Sequence, residues 1–273
     1  SHTVNSPDAD DSVFAMCERA SSLGLSAYAI TDHCEANRFY SIEYYKGIPN
    51  DHDTYDFDIS FEKSMAENTS AKEKFAGKLN LICGIELGQG THDLTVADKI
   101  VSDKRLDFVI GSMHELYGIE DFCFMDYSKY DVKELLHKYF KEIYELCIWN
   151  KFDVLGHLTY TLRYIEGENG IKVDLTPYND IIREIFKLII QNGKGIEINT
   201  SGLRQKYGKT FPALEYVKLF HDLGGEIISI GSDSHCTQDI GKGVAEGAEI
   251  AKVAGFKRLC YFKERKPVFI NID

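Results

Sequence analysis

The chain has no run of the roughly 18 uncharged apolar residues that a membrane-spanning helix needs, and its start lacks the basic-then-apolar pattern of a secretory signal. No membrane association is therefore expected. A basic excess is also missing: 31 Lys and Arg stand against 43 Asp and Glu, a formal net charge of −12. Phosphate backbones demand clustered cations, so nucleic acid is not an expected partner. A small anionic substrate stays compatible, because the charge of a local metal cluster overrides the field of the whole protein. Cysteine follows no pattern. Cys17, Cys34, Cys83, Cys123, Cys147, Cys236 and Cys260 are odd in number and form no Cys-x-x-Cys pair. Neither a disulfide framework nor a thiolate zinc site is indicated, and reduced thiols in the cytoplasm are expected. No repeat, low-complexity tract or linker interrupts the 273 residues, which are read as a single domain, 1–273.

What the chain does have is alternation. Helical periodicity over residues 10–23, 60–76, 94–104, 130–150, 175–191, 211–223 and 244–254 is interleaved with short apolar runs at 25–30, 79–87, 106–110, 152–155, 195–199, 226–230 and 258–262. Glycines punctuate the joints, as at Gly193 after the fifth helix. Repeated strand–helix units with short connections give parallel strands with helices outside. Six or seven such units over about 250 residues predict a distorted TIM-like α/β barrel with its site at the C-terminal strand ends. Residues 35–59 are polar and rich in Tyr and Asp, and read as a loop over the mouth.

The nine histidines divide by position. His137 and His221 fall mid-helix, and His52 and His92 sit in polar surroundings and are expected to face solvent. His2, His33, His114, His157 and His235 each end a strand or open a loop, and Glu86, Asp233 and Asp8 lie beside them in the same kinds of position. Five imidazoles and three carboxylates sharing one mouth are costly to bury without metal. Nitrogen and carboxylate donors without thiolate suit zinc, manganese or iron.

In order along the chain stand Ser1-His2-Thr3, Asp8, Thr31-Asp32-His33, Gly84-Ile85-Glu86, Ser112-Met113-His114, Gly156-His157 and Ser232-Asp233-Ser234-His235. This ordered set resembles the PHP (polymerase and histidinol phosphatase) superfamily and covers nearly the whole chain. The resemblance implies a distorted (β/α)7 barrel holding two to three divalent ions (Zn, Mn or Fe). It implies that His2, Glu86 and Asp233 hold one ion, that Glu86 bridges to a second held by His114 and His157, and that Asp8, His33 and His235 hold a third. The first strand and the first histidine of the family's opening His-x-His would fall immediately before Ser1. Such a centre leaves a net charge of roughly +2 opposite a phosphate monoester of nearly −2.

Within the superfamily, Gly156-His-Leu-Thr-Tyr-Thr-Leu-Arg163 and Glu197-Ile-Asn-Thr-Ser-Gly-Leu-Arg204 resemble the larger histidinol-phosphate phosphatases. Arginine forks phosphate oxygens, so Arg163 and Arg204 are expected to clamp a phosphoryl group, although a loop arginine can equally be paired with a nearby acid. Glu35 and Arg38 directly follow His33 and are the expected further substrate contacts; Glu115 is another acid that could receive a cationic amine. The implied activity is an enzyme's hydrolysis of L-histidinol phosphate to L-histidinol and phosphate, a step of histidine biosynthesis. A metal-activated water is its nucleophile, with Asp233 or another metal-held water giving the proton to the leaving alkoxide. The alternatives are a PHP-type phosphoesterase acting on nucleotides or other small phosphomonoesters, a nuclease, and a catalytically inactive interaction module.

Overall fold

Parallel pairing of short apolar strands builds the centre of the molecule. The computed structural model describes residues 1–41, 43–46 and 56–272. Its main elements run α1 (Val13–Ser22), β1 (Tyr28–Glu35), α2 (Phe57–Lys74), β2 (Leu81–Gly88), α3 (Leu94–Val101), β3 (Phe108–Ser112), α4 (Val132–Trp149), β4 (Val154–Leu155), α5 (Asn179–Gln191), β5 (Gly195–Asn199), α6 (Leu214–Asp222), β6 (Ile228–Gly231), α7 (Val244–Ala254), β7 (Arg258–Lys263) and β8 (Lys266–Asn271). Strands β1 to β6 form one sheet in sequence order, every neighbour parallel. All residues of β2 and of β5 are buried, as expected of strands covered on both faces by barrel filling and outer helices. Every expected helix is present, most starting two to four residues later than periodicity alone places them.

The curled sheet is a half-barrel whose outer strands β1 and β6 do not pair with each other. The opening residues lie between them: Thr31 N donates to Ser1 O at 2.8 Å, and His2 N to Ser234 O at 2.8 Å. This contact carries His2 into the middle of the C-terminal mouth.

Residues 258–262, expected as the last barrel strand, are instead one arm of an antiparallel hairpin with β8. Only Glu264 and Arg265 separate the two arms, and a parallel partner would need a crossover of a dozen or more residues. Both turn residues have positive φ, 49° and 63°. The turn plugs the base of the sheet: Arg265 N donates to Asp107 O, Glu264 N to Asp107 Oδ1 and Arg265 Nε to Asp153 Oδ2. Phe262 stacks on Phe108 with ring centroids 4.9 Å apart.

Among the outer helices, α4 shows how local sequence sets an element's start. Asp131 caps it, its Oδ1 accepting from Lys133 N at 2.8 Å and Glu134 N at 3.4 Å. Leu135, Leu136, Tyr139, Phe140, Ile143 and Leu146 then form the buried stripe. Asp131→Ala is expected to cost about 1 kcal/mol and lower Tm by a few degrees, measured by thermal melts.

Candidate metal centre

Because strands end at similar heights, polar residues at their C-terminal ends meet at one mouth. His33 lies near the end of β1 in register with Glu86 on β2, while His114 and His157 follow β3 and β4, and Asp233 and His235 follow β6. Glu86 is the hub. Its Oε1 lies 2.7 Å from His157 Nε2 and 3.0 Å from His114 Nε2, and its Oε2 lies 3.3 Å from His2 Nε2. His2 Nε2 is also 3.0 Å from Asp233 Oδ1. On the outer side, Asp8 Oδ2 stands 3.0 Å from His235 Nε2 and 3.7 Å from His33 Nε2. The His2 ring is sandwiched between those of His33 and His235, at 4.2 and 4.4 Å. All eight residues expected as ligands are thus brought together.

Local folding explains the placement. Asp32 is buried and accepts from Thr3 N (2.6 Å), Thr3 Oγ1 (2.9 Å), Ser6 Oγ (3.1 Å) and Ser64 Oγ (2.6 Å), which ties down the opening segment carrying His2. Asp233 has φ +50°, and Arg204 Nη2 holds this turn through Ser232 O at 2.8 Å and Asp233 O at 3.3 Å. Gly156 lets β4 approach β3: a Cβ there would stand 2.7 Å from Ser112 Oγ, the hydroxyl that donates to Glu86 Oε1.

The donor set fits a divalent cation. His114 Nε2 and His157 Nε2 lie 3.3 Å apart and both point at Glu86 Oε1. Bonds of about 2.0–2.1 Å at a tetrahedral angle separate two donors by about 3.3 Å. Buried Nδ1 atoms of His33 and His157 have no hydrogen-bond partner among the described residues. Three triads have donor atoms within 4.8 Å of one another: His2, His33 and His235; His33, Glu86 and His114; His2, Glu86 and Asp233. Imidazole and carboxylate without thiolate is the donor chemistry of zinc, manganese and iron sites.

Electrostatics shows what the ions replace. Burial disfavours a charged Glu86, yet His157, His114 and His2 outweigh it and hold its carboxyl well below the usual range. Asp233 is likewise lowered against burial by His2 and His235. Burial is also overcome at His33, where Asp8 and Glu86 raise the imidazole to about 9, and at His114, raised by Glu35 and Glu86.

These directions set a pH dependence. The folded value of His33 lies above its ordinary 6.5, so its proton stabilises the metal-free protein below pH 6.5, and that contribution is lost as pH rises through 9. The depressed Glu86 and Asp233 contribute above the ordinary carboxylate range, near pH 4, and lose this on acidification. Chelator-treated protein is expected to lose Tm between pH 6.5 and 9, and zinc to flatten that limb. A flat alkaline limb without metal would count against proton–metal exchange at this site.

A cavity of about 700 Å³ opens over the centre. From the β4 and β5 side it receives Arg163 and Arg204, and from the β1 and β3 side Glu35, Arg38, Glu115 and Asp121. The Arg163 guanidinium rests over the Tyr164 ring at 5.2 Å and has no hydrogen bond or ion pair among the described residues. Arg204 Nη1 is buried and has no hydrogen-bond partner among the described residues. Arg38 Nη2 is paired with Glu115 Oε2 at 2.6 Å. Glu35 sits behind the centre, its Oε1 3.0 Å from His114 Nδ1.

Of the remaining histidines, His92 differs from expectation. Its side chain is buried against Glu142, with Nε2 2.8 Å from Oε2, because a polar sequence neighbourhood does not reveal a carboxylate arriving from α4. His137 is exposed on α4 and His221 half-buried on α6; His52 lies outside the described residues, as does much of the expected loop at 35–59. Sequence reading missed Glu197 and Asp121. Glu197 is buried inside β5 and accepts from His157 N at 3.1 Å; burial, opposed by His157 and reinforced by Glu86, pushes its carboxyl up to about 7. A carboxylate between Ile196 and Ile198 was the available signal. Asp121 carried no such mark.

A parallel half-barrel with imidazoles and carboxylates clustered at its strand ends defines an α/β protein whose mouth carries a donor set suited to divalent metal ions. The PHP domain family matches residues 1–201, and the chain belongs to that family. It is similar to a probable histidinol-phosphatase of Clostridium acetobutylicum, 30% identical over 187 residues, spanning 68% of this chain and 72% of that protein. A probable histidinol-phosphatase of Thermotoga maritima is 31% identical over 186 residues, 64% of this chain and 77% of the relative. The fold also matches the crystal structure of histidinol phosphate phosphatase from Lactococcus lactis, solved with zinc, L-histidinol and phosphate. There the TM-score is 0.77 at 22% identity, over 98% of this chain and 96% of the other. No helix among the described residues is long and apolar enough to cross a membrane.

Proposed function

We propose that this chain is a metal-dependent phosphomonoesterase that hydrolyses L-histidinol phosphate to L-histidinol and phosphate, as a cytoplasmic enzyme of histidine biosynthesis. The observation that carries this reading is a partly buried Arg163 guanidinium with no hydrogen bond or ion pair among the described residues, standing over a cluster of metal-type donors. A desolvated cation without a counter-ion is costly unless a ligand supplies the charge. Family relatives named for this phosphatase activity support the choice of substrate.

His2, Asp8, His33, Glu86, His114, His157, Asp233 and His235 would hold two to three divalent ions, zinc, manganese or iron. Bound there, the ions would supply Lewis acidity and an activated water near neutral pH. Arg163 and the free Nη1 of Arg204 hold phosphate oxygens and oppose the charge that develops in the transition state. Acids on the β1 and β3 side of the mouth, Glu115 and Asp121, give the cavity an anionic flank suited to the amine or imidazole of the alcohol portion. Ser1 and His2 bridge β1 to the segment after β6, and we read the half-barrel as part of a distorted (β/α)7 barrel forming one domain.

The test is a substrate panel at matched metal loading. Histidinol phosphate is expected to exceed an aryl phosphate and nucleoside monophosphates in kcat/KM. Turnover no faster than the aryl phosphate would assign the chain to another phosphoester.

A further inference from the structure

We infer that Glu35 is a positioning residue: its carboxylate fixes the orientation and tautomer of His114, and so sets how tightly the centre holds an ion. The inference rests on the reading of this cluster as a metal centre, not on the identity of the substrate.

The geometry gives Glu35 a place behind the site. His114 Nε2 faces inward, 3.0 Å from Glu86 Oε1 and 3.3 Å from His157 Nε2, while its Nδ1 faces Glu35 Oε1 at 3.0 Å. A neutral imidazole carries one N–H. Donated from Nδ1 to a carboxylate, it leaves the lone pair of Nε2 directed at the centre. Carboxylate, imidazole and ion in that order raise the basicity of the ligand and pin its ring. Oε1 of Glu35 is 3.6 Å from His33 Nδ1, beyond hydrogen-bond reach, so its hydrogen bond goes to His114.

Sequence and packing both prepare this place. Glu35 stands two residues after His33 on β1, so the two side chains leave the strand on the same face. Its register partner on β2 is Gly88, and a Cβ on Gly88 would stand 1.8 Å from Glu35 Oε2 and 2.5 Å from Cδ. The carboxylate therefore lies flat against a strand that must lack a side chain there. Glu35 is 8% exposed, and Oε2 is buried without a hydrogen-bond partner among the described residues. A carboxylate held in this way by an imidazole is poorly disposed to swing out to a substrate, the role its place after His33 suggests.

The experiment measures zinc alone. Ions per chain and zinc affinity are determined by competition with a chromophoric chelator for the unmodified protein, Glu35→Gln and Gly88→Ala. Glu35→Gln keeps the shape and removes the charge, and is expected to weaken one zinc about 10- to 100-fold. Gly88→Ala displaces the carboxylate without altering it, and is expected to produce a loss of the same order. At saturating zinc, both variants should recover much of their kcat with KM little changed. Unchanged zinc affinity in Glu35→Gln, whether with a lowered Tm or with a rise confined to KM, would overturn the inference. Because the titration uses no substrate, inactivity toward histidinol phosphate would defeat the proposed function and leave this result standing.

Discussion

His157→Ala is expected to bring phosphatase activity to background and to lower the bound metal by about one ion per chain. The side chain is 4% exposed, with Nε2 2.7 Å from Glu86 Oε1 and 3.3 Å from His114 Nε2. Alanine leaves a buried gap lined by a carboxylate and an imidazole. Loss of an ion held there would remove the Lewis acid and the activated water it would supply. Metal analysis by mass spectrometry beside kcat checks it. A variant retaining both the ion count and kcat would show that His157 is not a ligand. Because β4 ends at Leu155 and Gly156 precedes the substitution, the strand itself is untouched and circular dichroism should match the unmodified protein.

The second large effect is expected at Arg163. Arg163→Ala should reduce kcat/KM by about 2–4 kcal/mol, roughly 30- to 1,000-fold, with metal content unchanged. Its guanidinium makes no hydrogen bond or ion pair among the described residues, so its removal strands no protein partner and the loss reads out substrate and transition-state contacts. Arg163→Lys restores charge without the planar fork and should recover only part of the activity. Arg204 is a less clean probe, because it also holds the Ser232 and Asp233 carbonyls and lies 3.5 Å from Asp239. Unchanged kcat/KM in Arg163→Ala would remove it from the phosphate contacts.

The residues show which features a sequence can announce. Short apolar runs closed by Thr31-Asp32-His33 or Gly156-His157 are local patterns, and a parallel barrel converts strand ends into one mouth, so the cluster was legible before any coordinate. Pairing partners are not local. Residues 258–262 read as a further strand, but their partner is the segment just beyond a two-residue turn, and it contains Pro267, a residue that argues against a strand. His92 looked solvated until α4 brought Glu142 to it. Glu35 reads as a mouth residue by position, and only the register that sets it on Gly88 turns it toward His114.

The hairpin at the base of the sheet has a consequence for the order in which the protein can be completed. Asp107 and Asp153 precede β3 and β4 and are buried, and Lys72 reaches Asp107 from α2. The cation that meets Asp153, and the backbone donors that finish satisfying Asp107, come from Glu264 and Arg265. Pairing of the six parallel strands without docking of residues 264 and 265 therefore leaves Asp153 without its cation, whereas Asp107 already has Lys72. Since a buried carboxylate without its cation is strongly destabilising, docking of this turn is the lock on the half-barrel, at the end opposite its chemistry.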